Sequence, residues 1–346
     1  MKTTVRLSRA AAVFVLAVLA AGPAARGGFF YDRPYPDIEW LVHETEHFRV
    51  YYYAGEEWTA RRVAKWAERA YGPVTELFSF PLKEKINIVV RDQEDYSNGW
   101  AAYNFDQITM WATPLYYVLR GRQDWIPDAL THEFTHIVSL KANSWKSEGA
   151  LLVLGQGLVE DGVHDVDVGV ALMIGWNTPW FWSEGVAEYG THLAGYNWWT
   201  TSRDMLQRMS MLEDNYLDYE QLFSRGMAPS SFDGERGYQQ GYTMALCVLE
   251  KYGRRKWAEL ALNSARKGHL EWDRNFRDVL GVSGEELFEG WLEWMKERYT
   301  AQAKPVLEEE HLGVPLLPPA RGGWPEVVER GADRWKVRLW PQRCVP

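Results

Sequence analysis

Two histidines and a glutamate stand close together in the run Thr131-His132-Glu133-Phe134-Thr135-His136. On a helix, residues four apart lie on one face, so both imidazoles can bind a single metal ion. A glutamate directly after the first histidine can take a proton from a water at that ion. The spacing therefore predicts a zinc site with Glu133 as its general base. Two surface histidines beside a solvated glutamate are the alternative.

The surrounding residues favour a helix. Asp124 can cap its first turn, Pro127 suits that turn, and Asp128 is favourable near the positive end of the helix dipole. The residues predicted to face the core recur at helical spacing: Ile126, Ala129, Leu130, Phe134, Ile137, Val138 and Leu140. A buried helix with two histidines and a glutamate is costly unless these groups have a partner. A metal ion is the simplest such partner.

Two histidines do not complete a zinc site, so a third ligand is required. One known arrangement has a histidine six residues after the motif, following a glycine. Here those positions hold Ala142 and Ser139, which excludes that arrangement. A second helix can instead supply a glutamate, and the run from Pro179 to Tyr189 contains Glu184 and Glu188 one turn apart. His192, four residues after Glu188, is a rival third ligand.

The two motifs together resemble the gluzincin peptidases. His132-Glu133-x-x-His136 followed by Trp182-x-Glu184-Gly185-x-Ala187-Glu188-Tyr189 is most similar to the peptidase MA-like family of secreted bacterial proteins, related to the M1 aminopeptidases. This resemblance implies that Glu184 is the third zinc ligand and that Glu188 hydrogen-bonds to a zinc-bound histidine. The long separation of His136 from Glu184 implies an insertion between the motifs.

Weaker similarities extend the resemblance over residues 37–300. Thr45 to Tyr53 resembles the family's first strand, and Asn98-Gly99-Trp100-Ala101 resembles an Asn-Gly turn before a sheet edge. Tyr238-Gln239-Gln240-Gly241 resembles a helix start in the family's C-terminal part. By this resemblance Tyr238, or else Tyr242, is a candidate donor to the oxyanion of the attacked carbonyl. A purely structural role for Tyr238 at the helix start is the alternative.

The hydrophobic pattern predicts an α+β order of strands and helices, and the resemblance implies that this is a zincin-like metallopeptidase fold. An N-terminal lobe, residues 37–143, should hold a mixed sheet and the active-site helix, and residues 144–300 should form a mainly helical lobe. Strands are predicted at 48–53, 85–91 and 107–113, and helices at 56–78, 202–212, 241–252, 255–267, 272–280 and 284–299. The tail, residues 305–346, is rich in proline and is predicted to lack regular elements and a core of its own. Relatives of the family often continue into a β-propeller here.

Composition and the N-terminus bear on location and partners. The formal net charge is −9, without a basic cluster near the motifs, so nucleic acid is not expected as a partner. Residues 1–25 are typical of a signal peptide: Lys2, Arg6 and Arg9 precede an apolar run over residues 10–21, followed by small residues up to Ala25. The run is short for a membrane span, although an uncleaved anchor is the alternative. We therefore expect export to the periplasm or the exterior, with no stable membrane span after cleavage.

These features predict an exported zinc-dependent peptidase that acts on peptides or proteins. The alternative is a non-catalytic zincin-fold module that binds a partner or acts as a scaffold in the cell envelope. Glu133 favours the enzyme, because a purely structural zinc needs no general base. The aminopeptidase motif Gly-x-Met-Glu-Asn is missing from the sequence, so aminopeptidase activity is not inferred.

Overall fold

The computed structural model describes residues 37–94, 97–115, 120, 123–144, 178–196, 201–223, 231–267 and 272–308. It also describes the backbone of four strands at 151–158, 165–172, 326–330 and 335–338. The expected signal peptide, residues 1–25, lies outside these ranges. None of the helices described is both long enough and apolar enough to cross a membrane.

A five-stranded mixed sheet forms the N-terminal part, in the order β1-β2-β3-β5-β4. Its strands are β1 (Trp40–Glu44), β2 (Phe48–Tyr53), β3 (Ile86–Arg91), β4 (Gly99–Ala102) and β5 (Gln107–Trp111). The pairs β2–β3 and β3–β5 are parallel, and β1 and β4 pair antiparallel to their neighbours. Strand β4 begins at Gly99, within the predicted Asn-Gly turn, and lies at the edge of this sheet.

Two long helices pack on the sheet: α1 (Glu57–Phe78) and α2 (Trp125–Ser144). The alternation of β2 buries Phe48 and Val50 on the helical side, and the Phe48 ring meets the Phe134 ring of α2 at 5.2 Å. Helix α2 is buried from Trp125 to Ser139, so it has no solvent face. This burial is what surrounds the histidine motif with protein.

The expected cap of α2 is not found. The Asp124 carboxylate instead accepts two hydrogen bonds from Arg62 of α1, at 2.6 and 2.7 Å. Only the backbone carbonyl of Asp124 serves the helix, accepting the N–H of Asp128 at 3.2 Å. A tertiary ion pair therefore uses the side chain that the local pattern assigned to capping.

Seven further helices follow among the described residues: α3 (Trp180–Leu193), α4 (Thr201–Leu212), α5 (Tyr219–Phe223), α6 (Ser231–Tyr252), α7 (Lys256–Lys267), α8 (Trp272–Leu280) and α9 (Gly284–Glu308). Helix α6 begins ten residues before the predicted start at Gly241. Helix α9 continues past Pro305, where a break was predicted. Pro305 lacks the N–H that would bond the carbonyl of Ala301, so the helix continues past it with one hydrogen bond fewer.

Two antiparallel hairpins complete the described backbone. Strands β6 (Leu151–Leu158) and β7 (Asp165–Leu172) pair between α2 and α3, in the interval where the sequence predicted an insertion. Strands β8 (Glu326–Arg330) and β9 (Trp335–Arg338) pair in the C-terminal tail, which is therefore not devoid of regular elements. A mixed sheet followed by helices confirms the predicted α+β class.

Candidate metal centre

The two histidines of α2 face each other across one helical turn. Their Nε2 atoms lie 3.1 Å apart, and both side chains are buried. Two Nε2 atoms at this distance cannot both present lone pairs to each other without repulsion. A proton or a cation between them is therefore required.

Helix α3 brings Glu184 to the histidines, and two glycines explain how it comes so close. A Cβ on Gly190 would lie 2.2 Å from Oγ1 of Thr135 on α2. A Cβ on Gly185 would lie 2.2 Å from the carbonyl oxygen of Gly241 on α6. Only glycine fits at either position, so α3 is held tightly between α2 and α6.

The Glu184 carboxylate closes a triangle with the two imidazoles. Its Oε2 lies 3.1 Å from Nε2 of His132 and 3.3 Å from Nε2 of His136. Tetrahedral zinc with ligand bonds of about 2.0–2.1 Å requires ligand atoms about 3.3 Å apart, so the triangle matches that edge length. Within the described ranges, His132, His136 and Glu184 are the group whose ligand atoms converge in this way. The donor set and its spacing fit Zn²⁺.

The charges around this triangle favour a cation. Burial lowers the pKa of His132, but the hydrogen bond with Glu184 and the charges of Glu133 and Glu188 outweigh burial and raise it to about 9. Burial raises the pKa of Glu184, but the charge of His136 and the hydrogen bonds with both histidines lower it well below its ordinary range. The pocket thus stabilises positive charge, whether proton or metal ion.

Glu133 lies between the histidines and the edge of the sheet. A Cβ on Gly99 of β4 would lie 3.2 Å from its Oε1, so the strand passes directly over this carboxylate. Burial raises the pKa of Glu133, although the charges of His132 and His136 oppose the shift. A raised pKa brings a carboxylate closer to the range in which it can both accept and return a proton near neutrality.

Different partners orient the two histidines. Oε1 of Glu188 lies 3.6 Å from Nδ1 of His132, so Glu188 faces a candidate ligand histidine as the resemblance implied, but at ion-pair rather than hydrogen-bond distance. The other oxygen, Oε2, accepts a hydrogen bond from Arg203 of α4 at 2.7 Å. Oγ of Ser183 lies 3.3 Å from Nδ1 of His136. Sequence reasoning missed both Ser183 and Arg203. The position of Ser183 beside Glu184 could have indicated Ser183, but no such signal pointed to Arg203.

Tyr238 of α6 lies beside the metal centre. The centroid of the Tyr238 ring is 5.8 Å from that of the His132 ring. The Arg120 guanidinium lies 4.8 Å from the centroid of the Tyr238 ring. Nε of Arg120 donates a hydrogen bond to Glu235 at 2.7 Å. The charge of Glu184, followed by burial, raises the pKa of Tyr238 well above its ordinary value. Tyr238 therefore keeps its proton and can donate a hydrogen bond.

The rival residues pair with each other instead. Nδ1 of His192 lies 2.9 Å from Oη of Tyr242, and His192 does not belong to the converging group of ligand atoms. Of the two tyrosines, Tyr238 is the one whose ring lies against His132.

Comparisons with known proteins add little to this geometry. No protein-family model matches the chain, and no curated protein matches it. One solved structure to which it is similar is yeast LTA4 hydrolase in complex with bestatin, with 12% sequence identity and a TM-score of 0.37. The similarity covers 81% of this chain and 40% of that chain. A TM-score this low supports no inference about function.

Proposed function

We propose that this protein is a zinc-dependent peptidase of the gluzincin type, similar to the peptidase MA-like family. The observation that carries the proposal is the convergence of His132, His136 and Glu184 on one point, with Glu133 on the same buried helix. A structural zinc site normally has four protein ligands, whereas three leave a position for water or substrate.

Each residue has a defined task in this reaction. His132, His136 and Glu184 would hold Zn²⁺, which when bound supplies a Lewis acid for the peptide carbonyl. The Glu133 carboxylate takes a proton from the attacking water and passes it to the leaving amine. The Oη of Tyr238 donates a hydrogen bond to the carbonyl oxygen as negative charge develops there.

The edge strand β4 indicates how a peptide would bind. A substrate in extended conformation can pair with the outer edge of β4 through backbone hydrogen bonds. Such a peptide would run past Gly99, and Gly99 approaches Glu133 closely. The substrate class is therefore a peptide or an unfolded protein segment, which has free backbone groups to pair.

The proposed location is outside the cytoplasm, supported by the signal-like residues 1–25. Peptides, exported proteins and a cell-envelope partner are the proposed binding partners, and nucleic acid is not among them. Mass spectrometry of the mature N-terminus after expression with the full leader tests export. An intact Met1 on a cytoplasmic protein would contradict it.

Metal analysis and a cleavage assay test the enzyme. Purified protein should contain about one zinc per chain and should cleave an unbiased peptide library. The Glu133→Gln variant should keep the zinc and lose about 10³-fold or more in cleavage rate, because it lacks the general base. Glu259→Gln, on the surface of α7, is the matched control and should behave as wild type.

The outcome of this assay distinguishes a peptidase from a non-catalytic zincin-fold module. Zinc-dependent cleavage that Glu133→Gln abolishes supports the peptidase. A wild-type protein that holds zinc but matches Glu133→Gln on every peptide would refute the peptidase and leave the non-catalytic binding module.

A further inference from the structure

A buried arginine reaches the metal centre from a helix that supplies none of its ligands. Arg203 of α4 is 1% exposed, and its partner Glu188 of α3 is 2% exposed. Taking both charges out of water is costly, and such a pair adds little net stability. Stability is therefore a weak explanation for this pair, and its position beside the metal centre points to another.

The carboxylate of Glu188 divides its two oxygens between two neighbours. Oε2 accepts a hydrogen bond from the Arg203 guanidinium at 2.7 Å, and Oε1 faces Nδ1 of His132 at 3.6 Å. An arginine that holds one oxygen fixes the rotation of the carboxylate and so fixes where the other oxygen points. With Oε1 on the Nδ1 side at ion-pair distance, a proton on Nδ1 is stabilised, which leaves Nε2, the atom that faces Glu184 and His136, available to bind a metal ion.

The balance of charges around His132 is a second explanation for a buried arginine beside Glu188. Glu133, Glu184, Glu188 and Asp128 are four buried or nearly buried carboxylates around His132. Arg120 donates to Glu235, and its charge also offsets that of Glu188. Arg203 adds a direct hydrogen bond to Glu188, so that this carboxylate can face His132 without being expelled toward solvent.

We propose that Arg203 is a positioning residue of the metal centre, which acts through Glu188 to hold His132 in the orientation and tautomer that bind Zn²⁺. The inference rests on the proposed zinc site but not on peptidase activity. It assigns α4 a part in metal binding. The competing explanation is that the pair only fastens α3 to α4.

Zinc affinity of the metal-free protein, measured by competition with a chelating dye, tests the proposal without any cleavage assay. Arg203→Met should weaken zinc binding about tenfold, and Glu188→Gln about 10–100-fold, the range found for residues that orient metal ligands. The double variant should bind zinc within about twofold of Glu188→Gln, because Arg203 has no route to His132 once Glu188 is changed.

Arg91→Met is the matched control. Arg91 is also buried, pairs with Glu94 at 2.8 Å and lies 5.1 Å from the Trp111 ring, so its loss damages the interior without touching the ligands. Its zinc affinity should equal that of wild type. Arg203→Lys keeps the charge but loses the planar fork, and should lie between wild type and Arg203→Met.

Two results would overturn the proposal: unchanged zinc affinity in folded Arg203→Met, or losses that simply add in the double variant. If Arg203→Met does not fold, the same cycle is run with Arg203→Lys. The proposal is supported if Arg203→Lys weakens zinc binding in the wild-type background but not in the Glu188→Gln background. It is refuted if Arg203→Lys weakens zinc binding equally in both backgrounds. Failure of the peptidase proposal would show in cleavage and leave these affinities unaffected.

Discussion

Replacing Gly185 by alanine tests whether the closeness of α3 and α6 sets the position of Glu184. The new Cβ would lie 2.2 Å from the carbonyl oxygen of Gly241, and the helices must separate by at least 0.8 Å to reach 3.0 Å. The opposing atoms belong to backbone, so no side-chain rotation relieves the clash. Overpacking of this kind costs about 1–3 kcal/mol, here at the upper end, and the better helix propensity of alanine returns about 1 kcal/mol.

The expected net loss is therefore about 2 kcal/mol, or a fall in Tm of about 4 °C. Because Glu184 is the neighbouring residue, zinc affinity should also fall, by about tenfold. Gly290→Ala in α9 is the matched control, since its Cβ would meet only the tip of Lys251 at 3.5 Å. It should gain about 0.5–1 kcal/mol. Thermal unfolding of the metal-free variants and dye competition measure both effects, and a Gly185→Ala protein as stable as Gly290→Ala would refute the reasoning.

Three further predictions concern the base, a buried acid and the metal. Gly99→Ala places a methyl group 3.2 Å from Oε1 of Glu133, so kcat should fall about tenfold while zinc content stays constant; an unchanged kcat would contradict the close approach. Burial, followed by the charge of Glu188, raises the pKa of Asp128 to about 7, so the folded protein holds this proton more tightly than the unfolded chain. The stability that the protonated Asp128 contributes is present below about pH 4 and is lost as pH rises through 7. In chemical unfolding, the free energy of unfolding of Asp128→Asn should therefore rise relative to that of wild type from pH 5 to 8. A difference between the two proteins that stays constant with pH would argue against the raised pKa. Finally, zinc at 100 times its Kd should stabilise the protein by about 2.7 kcal/mol, so chelation should lower Tm, and a Tm insensitive to chelator would exclude a bound metal in the folded protein.

The local part of the site was accessible from the sequence because it depends on a single helix. His132, Glu133 and His136 belong to one turn of α2, and the spacing of a helix fixes their common face. Glu184 lies on another helix, where the sequence offered it as a candidate beside Glu188 and His192, and only the resemblance to a known motif favoured it. Ser183 and Arg203 were missed because nothing in the order of residues states which helices become neighbours.

The errors in helix boundaries have the same origin. Helix α6 begins at Ser231, although Gly234 and Gly237 make this stretch a weak helix former. A Cβ on Gly237 would lie 2.3 Å from the Trp180 ring, so the glycine that weakens the local signal is required by the packing. Likewise, Asp124 has the right type for a cap but pairs with Arg62. Tertiary contacts outweigh local propensity in both cases.

The glycine contacts of α3 also bear on how this site could tolerate change in its sequence. Gly190 against Thr135 and Gly185 against Gly241 set the position of Glu184 by packing between helices, not by the length of chain that joins the ligands. The chain between the two ligand-bearing helices therefore does not set the distance between the ligands. As long as both glycine contacts are kept, a change in the length of that connection should cost mainly loop entropy and leave the position of Glu184 relative to the histidines unchanged.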